Sequence, residues 1–109
     1  MTKYRNIKVT CDGIKFDSKK EAKRYLELKL LERGHIVSDL VLQPRMVLQK
    51  SFKDHLNKTH RKIEYVCDFS YIKDGQEIWE DVKGYKTDVY KIKMKLFVYQ
   101  NPNIIFLES

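Results

Sequence analysis

An aspartate and an acid-x-lysine triplet lie in apolar surroundings in the second half of the chain. Asp68 interrupts an apolar run, and Asp81 precedes Lys83 by two residues in the sequence EDVKG at 80–84. Because alternate residues of a strand share a face, Asp81 and Lys83 project together, while Glu80 and Val82 face the other way. The acidic doublet leaves open which carboxylate faces inward, and the spacing to Lys83 favours Asp81.

These residue types suit chemistry on a phosphate ester. If a hairpin joins the two predicted strands, Asp68 lies alongside Asp81, and two such carboxylates repel each other unless a cation lies between them. Mg²⁺ fits this position, because it binds a few carboxylates and keeps water as its other ligands. A lysine beside the cation can lower the pKa of an attacking water or stabilise negative charge on a phosphate oxygen.

Each feature also has a purely structural explanation. In a chain with 34% charged residues, Asp81 and Lys83 can simply form an exposed ion pair on an edge strand. Glu21 lies at the edge of a helical apolar stripe, so its carboxylate can face the same site or only cap the helix at Ser18. Gln43 can line the site from a neighbouring strand or bond to backbone groups at a strand end.

The first elements follow from local patterns. Residues 7–16 predict a hairpin, since their central Asp-Gly pair tolerates the positive φ of a tight turn. Residues 18–33 predict a helix, because Ser18 and Glu21 form a capping-box pattern and Gly34 is a natural stop. The predicted apolar stripe of this helix is Ala22, Tyr25, Leu26 and Leu30.

Strands are predicted downstream at residues 40–49, 63–72, 77–83 and 104–107. The polar and basic residues 50–62 predict a loop or the tip of a hairpin. A second helix is predicted over residues 87–99, and its inward-facing residues are Val89, Ile92, Leu96 and Tyr99. This order predicts a single-domain α/β protein with a central mixed β-sheet flanked by helices.

The charge balance indicates an anionic partner. The 22 Lys and Arg residues against 15 Asp and Glu give a net charge of +7, which favours contact with a phosphate backbone or an anionic membrane. The alternative is an ordinary, well-solvated basic protein. The predicted contacts to a phosphate backbone lie on the loop at 50–62 and after the strand at 77–83: Lys58, Arg61, Lys62, Lys86, Lys91 and Lys95.

Membrane and secreted classes are not expected. The sequence has no apolar run long enough to span a bilayer, no signal-peptide pattern, and no predicted amphipathic helix that exposes large apolar residues. We therefore expect a cytoplasmic protein. Cys11 and Cys67 are predicted to be packed thiols rather than a disulfide or zinc ligands.

Three segments resemble the PD-(D/E)XK nuclease superfamily: SKKEA at 18–22, YVCDF at 65–69 and EDVKG at 80–84. Within it, the pattern is similar to small phage-type endonucleases related to the endonuclease I junction resolvases and to the TnsA transposon nuclease. It looks closest to small phage and prophage proteins, and the likeness covers nearly the whole chain. The main departure is Cys67, where many relatives carry proline; that position shapes the turn rather than the chemistry.

The resemblance implies hydrolysis of DNA phosphodiester bonds with one or two Mg²⁺ or Mn²⁺ ions. It makes Glu21 the helix-borne acid, Asp68 the central metal ligand, Asp81 the second ligand and Lys83 the catalytic lysine. The backbone carbonyl of Val82 would also bind the metal.

It further implies a phage or prophage enzyme acting in the bacterial cytoplasm on branched DNA during recombination or DNA processing. Two symmetrical cuts in a junction favour a homodimer. The alternatives are a less selective nicking nuclease and a non-catalytic DNA-binding or assembly module that keeps the fold.

Overall fold

The computed structural model describes residues 8–82 and 84–109. Within this range the first hairpin forms as predicted, from β1 (Val9–Cys11) and β2 (Ile14–Phe16), which pair antiparallel. Its turn residues, Asp12 and Gly13, have φ values of 52° and 75°, the left-handed region that an Asp-Gly turn tolerates. The first residue of the predicted hairpin lies outside the described residues.

The first helix, α1, spans Lys19–Arg33, and Ser18 caps it by accepting a hydrogen bond from the backbone N–H of Glu21. Its boundaries agree with the prediction, but its buried face is only partly as predicted. Ala22 and Tyr25 are buried as expected. Leu26 and Leu30 are 46% and 64% exposed, and Leu28 is fully buried instead. The predicted stripe is therefore wrong at its two leucines.

A four-stranded mixed sheet forms the centre of the domain. Its strands are β3 (Ser38–Leu42), β8 (Phe69–Lys73), β9 (Gln76–Asp81) and β10 (Ile105–Glu108). The order is β10-β9-β8-β3, with β10 and β9 parallel and the other pairs antiparallel. The parallel pair is possible because α2, described below, carries the chain back from the end of β9 to the start of β10.

The long strand predicted at 63–72 is broken in two. Its first half, β7 (Ile63–Val66), pairs with β4 (Arg45–Gln49) in a separate two-stranded sheet, while its second half is β8. The predicted strand at 40–49 breaks at the same level, between β3 and β4. Pro44 has no N–H to donate to a ladder, and Gln43 has a φ of 52°. Both strands therefore change sheets at this point.

The basic segment contains a short hairpin, β5 (Phe52–Lys53) paired with β6 (Thr59–His60). This agrees with the hairpin tip predicted there.

The second helix, α2, spans Asp88–Gln100 and buries Tyr90 and Phe97. The four residues predicted to face inward are exposed instead, by 39% to 84%: Val89, Ile92, Leu96 and Tyr99. The sequence predicts no amphipathic helix that exposes large apolar residues, and α2 shows that this expectation is wrong. Tyr90 and Phe97, seven residues apart, pack into an aromatic cluster that fixes the orientation of the helix.

The two helices contribute to two cores on opposite faces of β9. On one face, α1 and the first hairpin pack on a cluster that includes Ile78 and Val82. On the other face, α2 packs with β4 and β7 on a cluster that includes Trp79. The molecule is thus a small single-domain α/β protein with a mixed sheet and two helices, as predicted at that level.

Both cysteines carry free thiols; Cys67 is buried, and Cys11 is partly buried against the core beside α1. In the described ranges, neither helix has the length and apolar character needed to cross a membrane.

Candidate functional site

Asp68 lies at the break between β7 and β8, where the chain leaves one sheet for the other. Its backbone carbonyl accepts a hydrogen bond of 2.9 Å from the N–H of Gln43, and the N–H of Cys67 donates to the carbonyl of Pro44 at 3.0 Å. Its side-chain Oδ2 accepts a 2.7 Å hydrogen bond from the backbone N–H of Val82. The break therefore holds Asp68 against the end of β9.

Glu21 approaches Asp68 from the first turn of α1. Its side chain is only 8% exposed, and its Oε1 accepts a 3.1 Å hydrogen bond from the N–H of Asp17. Its carboxyl group also interacts by hydrogen bonding with that of Asp68. The side chain thus reaches the site and also binds at the helix start, where its hydrogen bond comes from the N–H of Asp17, one residue before the N-cap Ser18.

Asp81, the last residue of β9, approaches Asp68 from the neighbouring strand, since the antiparallel register pairs Phe69 with Glu80. It is fully buried, and the hydroxyl of Tyr65 donates a hydrogen bond to its Oδ2. Its carboxyl group also interacts with that of Asp68. Val82 turns its side chain into the core next to α1, as the strand alternation predicts. Lys83 lies outside the described residues.

Crowding and burial make Asp68 unusually hard to ionise. Burial, followed by the interaction with Glu21, raises the pKa of Asp68 to about 6, although hydrogen bonds from Asp81 and the Val82 N–H act in the opposite direction. Burial also raises the pKa of the Cys67 thiol to about 12, with Asp81 adding to the effect. Cys67 is therefore a neutral, packed thiol beside the acidic cluster.

The donor chemistry of this cluster fits a hard divalent cation. Within residues 8–82 and 84–109, no three His, Cys, Asp or Glu side chains are arranged as a ready ligand set. The oxygen ligands of Glu21, Asp68 and Asp81 are nevertheless the type that Mg²⁺ and Mn²⁺ bind. A cation between them would favour the ionised form of Asp68, which burial and Glu21 disfavour.

A cavity of about 160 Å³ opens beside Glu21 and Asp68. Gln43 lines it from the loop between β3 and β4, so the structure places this weak candidate at the site. Lys15 lines it from β2, and sequence reasoning did not single out this lysine. Lys15 lies in the predicted hairpin at 7–16, but no local signal placed that hairpin beside the start of α1.

Glu80 lies on the opposite face of β9 and is 1% exposed. Arg24 binds it with two hydrogen bonds, of 2.7 Å to Oε2 and 3.0 Å to Oε1. The hydroxyls of Tyr71 and Ser109 each donate another at 2.7 Å. Burial raises the pKa of Glu80, but these bonds outweigh burial and hold it below its ordinary value. This residue is therefore a structural ion-pair partner, separate from the acidic cluster.

The predicted DNA contacts are all exposed, and none of them lines the cavity beside Glu21 and Asp68. Lys86 forms an ion pair of 3.1 Å with Glu108, and Lys62 one of 3.6 Å with Glu64. Lys91 and Lys95 lie on the solvent side of α2. The remaining two, Lys58 and Arg61, lie in the hairpin segment.

Fold and site together define a small α/β domain whose strands and first helix bring three acidic side chains around one sheet break. The chain belongs to the family described as "Protein of unknown function (DUF1064)", whose model matches residues 1–107. No curated protein matches it.

Proposed function

We propose that this protein is a metal-dependent DNA endonuclease with a PD-(D/E)XK nuclease-like fold. One observation carries the proposal: Glu21 and Asp81, from two different elements, both interact with Asp68 at a sheet break. A protein that only bound DNA would gain nothing from carboxylates aimed at phosphate, because like charges repel.

The net charge of +7 supports a polyanionic substrate, since neutralising phosphates with lysine and arginine drives nucleic-acid binding. Lys15 lines the cavity beside Glu21 and Asp68, where it can contact a phosphate and offset the local negative charge.

Glu21, Asp68 and Asp81 would hold Mg²⁺ or Mn²⁺, and the backbone carbonyl of Val82 is a further ligand implied by the resemblance. Such a cation supplies a Lewis acid and lowers the pKa of bound water. The protein's own groups do the positioning: the Val82 N–H orients Asp68, and the Tyr65 hydroxyl orients Asp81. Lys83 would stabilise negative charge on the phosphate oxygens.

The finer parts of the proposal are a structure-selective activity on branched DNA, a homodimer that makes paired cuts, and a phage or prophage role in the bacterial cytoplasm. They follow from the resemblance to junction resolvases. Size-exclusion chromatography with light scattering tests the dimer, and a panel of duplex, flap and four-way substrates tests selectivity.

The central test is cleavage by purified variants in Mg²⁺ or Mn²⁺. Asp68→Asn, Asp81→Asn and Lys83→Ala should each abolish nicking while DNA binding survives. Glu77→Gln and Lys73→Ala are matched controls, because both residues are exposed on the same hairpin and should leave cleavage intact. Full cleavage by all three site variants would refute the nuclease.

A metal titration separates the nuclease from a non-catalytic DNA-binding module. The nuclease should bind Mn²⁺, and Asp68→Asn should weaken the Mn²⁺ affinity by at least about tenfold. Losing even a residue that supports a ligand costs about that much. Metal binding that is absent, or the same in wild type and variant, would favour the binding module.

A further inference from the structure

The basic segment at residues 50–62, here called the arm, is an ordered hairpin. Asp54 organises it: its Oδ1 accepts backbone hydrogen bonds from Leu56 at 2.9 Å and from Lys58 at 3.0 Å, and its Oδ2 lies 2.8 Å from Nε2 of His60. The rings of Phe52 and His60 stack with centroids 4.8 Å apart and planes 15° from parallel. The tip is therefore held in shape without support from the core.

The tip carries an apolar side chain in a cationic setting. Leu56 is 85% exposed, and the hydrogen bonds of Asp54 hold its backbone in the turn. The only acid of the arm, Asp54, is occupied by these bonds. The arm's basic residues are Lys50, Lys53, His55, Lys58, His60, Arg61 and Lys62.

The arm is continuous with the candidate site. Strand β4 leads into it, and β7, which leads out of it, ends two residues before Asp68. Five residue steps lead from Ile63, at the start of β7, to Asp68. At roughly 3.3 Å per residue in a strand they span at most about 17 Å, which is about five base pairs of duplex. A DNA segment at Asp68 can therefore extend to the arm.

We infer that the arm binds DNA through its cations and inserts Leu56 where bases are already unstacked, as at a branch or a bulge. Apolar wedges of this kind pry base steps apart. The free energy gained by burying one leucine side chain is about equal to the free energy needed to unstack one intact base step. The wedge thus gains little on intact duplex, and it gains most where stacking is already lost.

This inference rests on the proposed function for its choice of DNA as ligand, and it names the feature that would select the substrate. The arm would recognise a defect in stacking, and the acidic cluster would cut the same DNA segment at a distance set by β7 and the arm. Selection by Leu56 does not require a sequence-specific contact.

The test measures binding in EDTA, so that cleavage plays no part. Leu56→Ser should weaken binding to a four-way junction by about tenfold and leave affinity for linear duplex of equal length unchanged. Leu30→Ser on α1 is the matched control, because that leucine is 64% exposed but far from the arm in sequence. Leu56→Met, which keeps an apolar tip, should retain most of the junction affinity.

A fluorescent base analogue, 2-aminopurine, placed at the branch gives a second readout. Wild-type protein should increase its fluorescence by unstacking it, and Leu56→Ser should not. Equal junction affinity and equal fluorescence for wild type and Leu56→Ser would overturn the inference. Junction binding that depends on Leu56, combined with no cleavage in Mn²⁺, would instead refute the nuclease and leave the arm's role standing.

Discussion

Two neighbouring carboxylates, Glu80 and Asp81, lie on opposite faces of β9 in opposite electrostatic settings. Glu80 has a guanidinium and two hydroxyl donors, and its pKa is lowered. Asp81 belongs to a group in which three acids converge, and the pKa of its neighbour Asp68 is raised to about 6. One step along a single strand thus separates a satisfied carboxylate from a crowded one.

The difference separates stability from function. A buried carboxylate with matched donors stabilises the native state in its ionised form. Crowded carboxylates cost stability, and such costs are typical of sites that need strained groups for chemistry. The Glu80 cluster, made of Glu80, Arg24, Tyr71 and Ser109, should therefore matter for folding, and the acidic cluster for activity.

The largest effect on stability is expected from Arg24→Ala. It leaves Glu80 buried without its cation, so the free energy of unfolding at pH 7 should fall by about 3 kcal/mol. Urea denaturation followed by circular dichroism measures this change. Cleavage per folded molecule should stay within about threefold of wild type, a change under about 1 kcal/mol.

The pH dependence of that effect follows from the lowered pKa of Glu80. The stabilisation by the Arg24–Glu80 ion pair is fully present at pH values above the ordinary glutamate pKa. It is lost as pH falls through the lowered pKa of Glu80 in the native state. The difference between wild type and Arg24→Ala should therefore shrink towards pH 3. A stability loss that is unchanged at pH 3 would show that packing of Arg24, rather than the ion pair, is responsible.

Asp68→Asn should act in the opposite direction. Asparagine still accepts the hydrogen bond from the Val82 N–H but carries no charge against Glu21. The rise in the pKa of Asp68 to about 6 corresponds to about 3 kcal/mol at pH 8, at about 1.4 kcal/mol per pKa unit. Solvent screening of this partly exposed side chain lowers the expected gain in stability to about 2 kcal/mol in EDTA. The same variant should not cleave DNA.

The pH dependence of the stability gain from Asp68→Asn tests whether the gain comes from the ionisation of Asp68. The native pKa of Asp68 is raised to about 6, so the wild-type penalty is absent below pH 4 and grows as pH rises through 6. The gain from Asp68→Asn should therefore appear between pH 4 and 7. A gain that is constant from pH 3 to 8 would mean that the carboxylate's ionisation is not its source.

Local signals predicted much of this arrangement. The capping box placed Glu21 on the first turn of α1, and strand alternation placed Asp81 and Glu80 on opposite faces. The break at Asp68 was missed, because it depends on two halves of one apolar run pairing with different strands. Local periodicity carries no information about such partners.

The buried face of α2 was missed for a related reason. Apolar residues surround most of this helix, so Val89, Ile92 and Leu96 fit a helical stripe as well as Tyr90 and Phe97 do. Packing against the aromatic cluster decided between the two faces. Lys15 escaped notice likewise, because only the tertiary fold brings the first hairpin to Glu21 and Asp68.

The smallest effect on stability is expected from removing a tyrosine hydroxyl. It allows a direct comparison of the two faces of β9, because Glu80 and Asp81 each accept a hydrogen bond from a buried tyrosine. Tyr71 donates to Glu80 and Tyr65 to Asp81, and the two rings are 4% and 2% exposed. Replacing either tyrosine by phenylalanine removes one hydrogen bond to a buried carboxyl group. Each substitution should therefore lower the free energy of unfolding by about 1 to 2 kcal/mol.

The two variants should differ in function. Tyr71→Phe should leave cleavage and its pH profile unchanged, whereas Tyr65→Phe frees Asp81 and should weaken Mn²⁺ binding and shift the pH dependence of cleavage. Tyr65 is a positioning residue in this scheme, since its hydroxyl acts through Asp81. Equal pH profiles and equal Mn²⁺ affinities for Tyr65→Phe and Tyr71→Phe would mean that the two faces of β9 do not divide folding from chemistry.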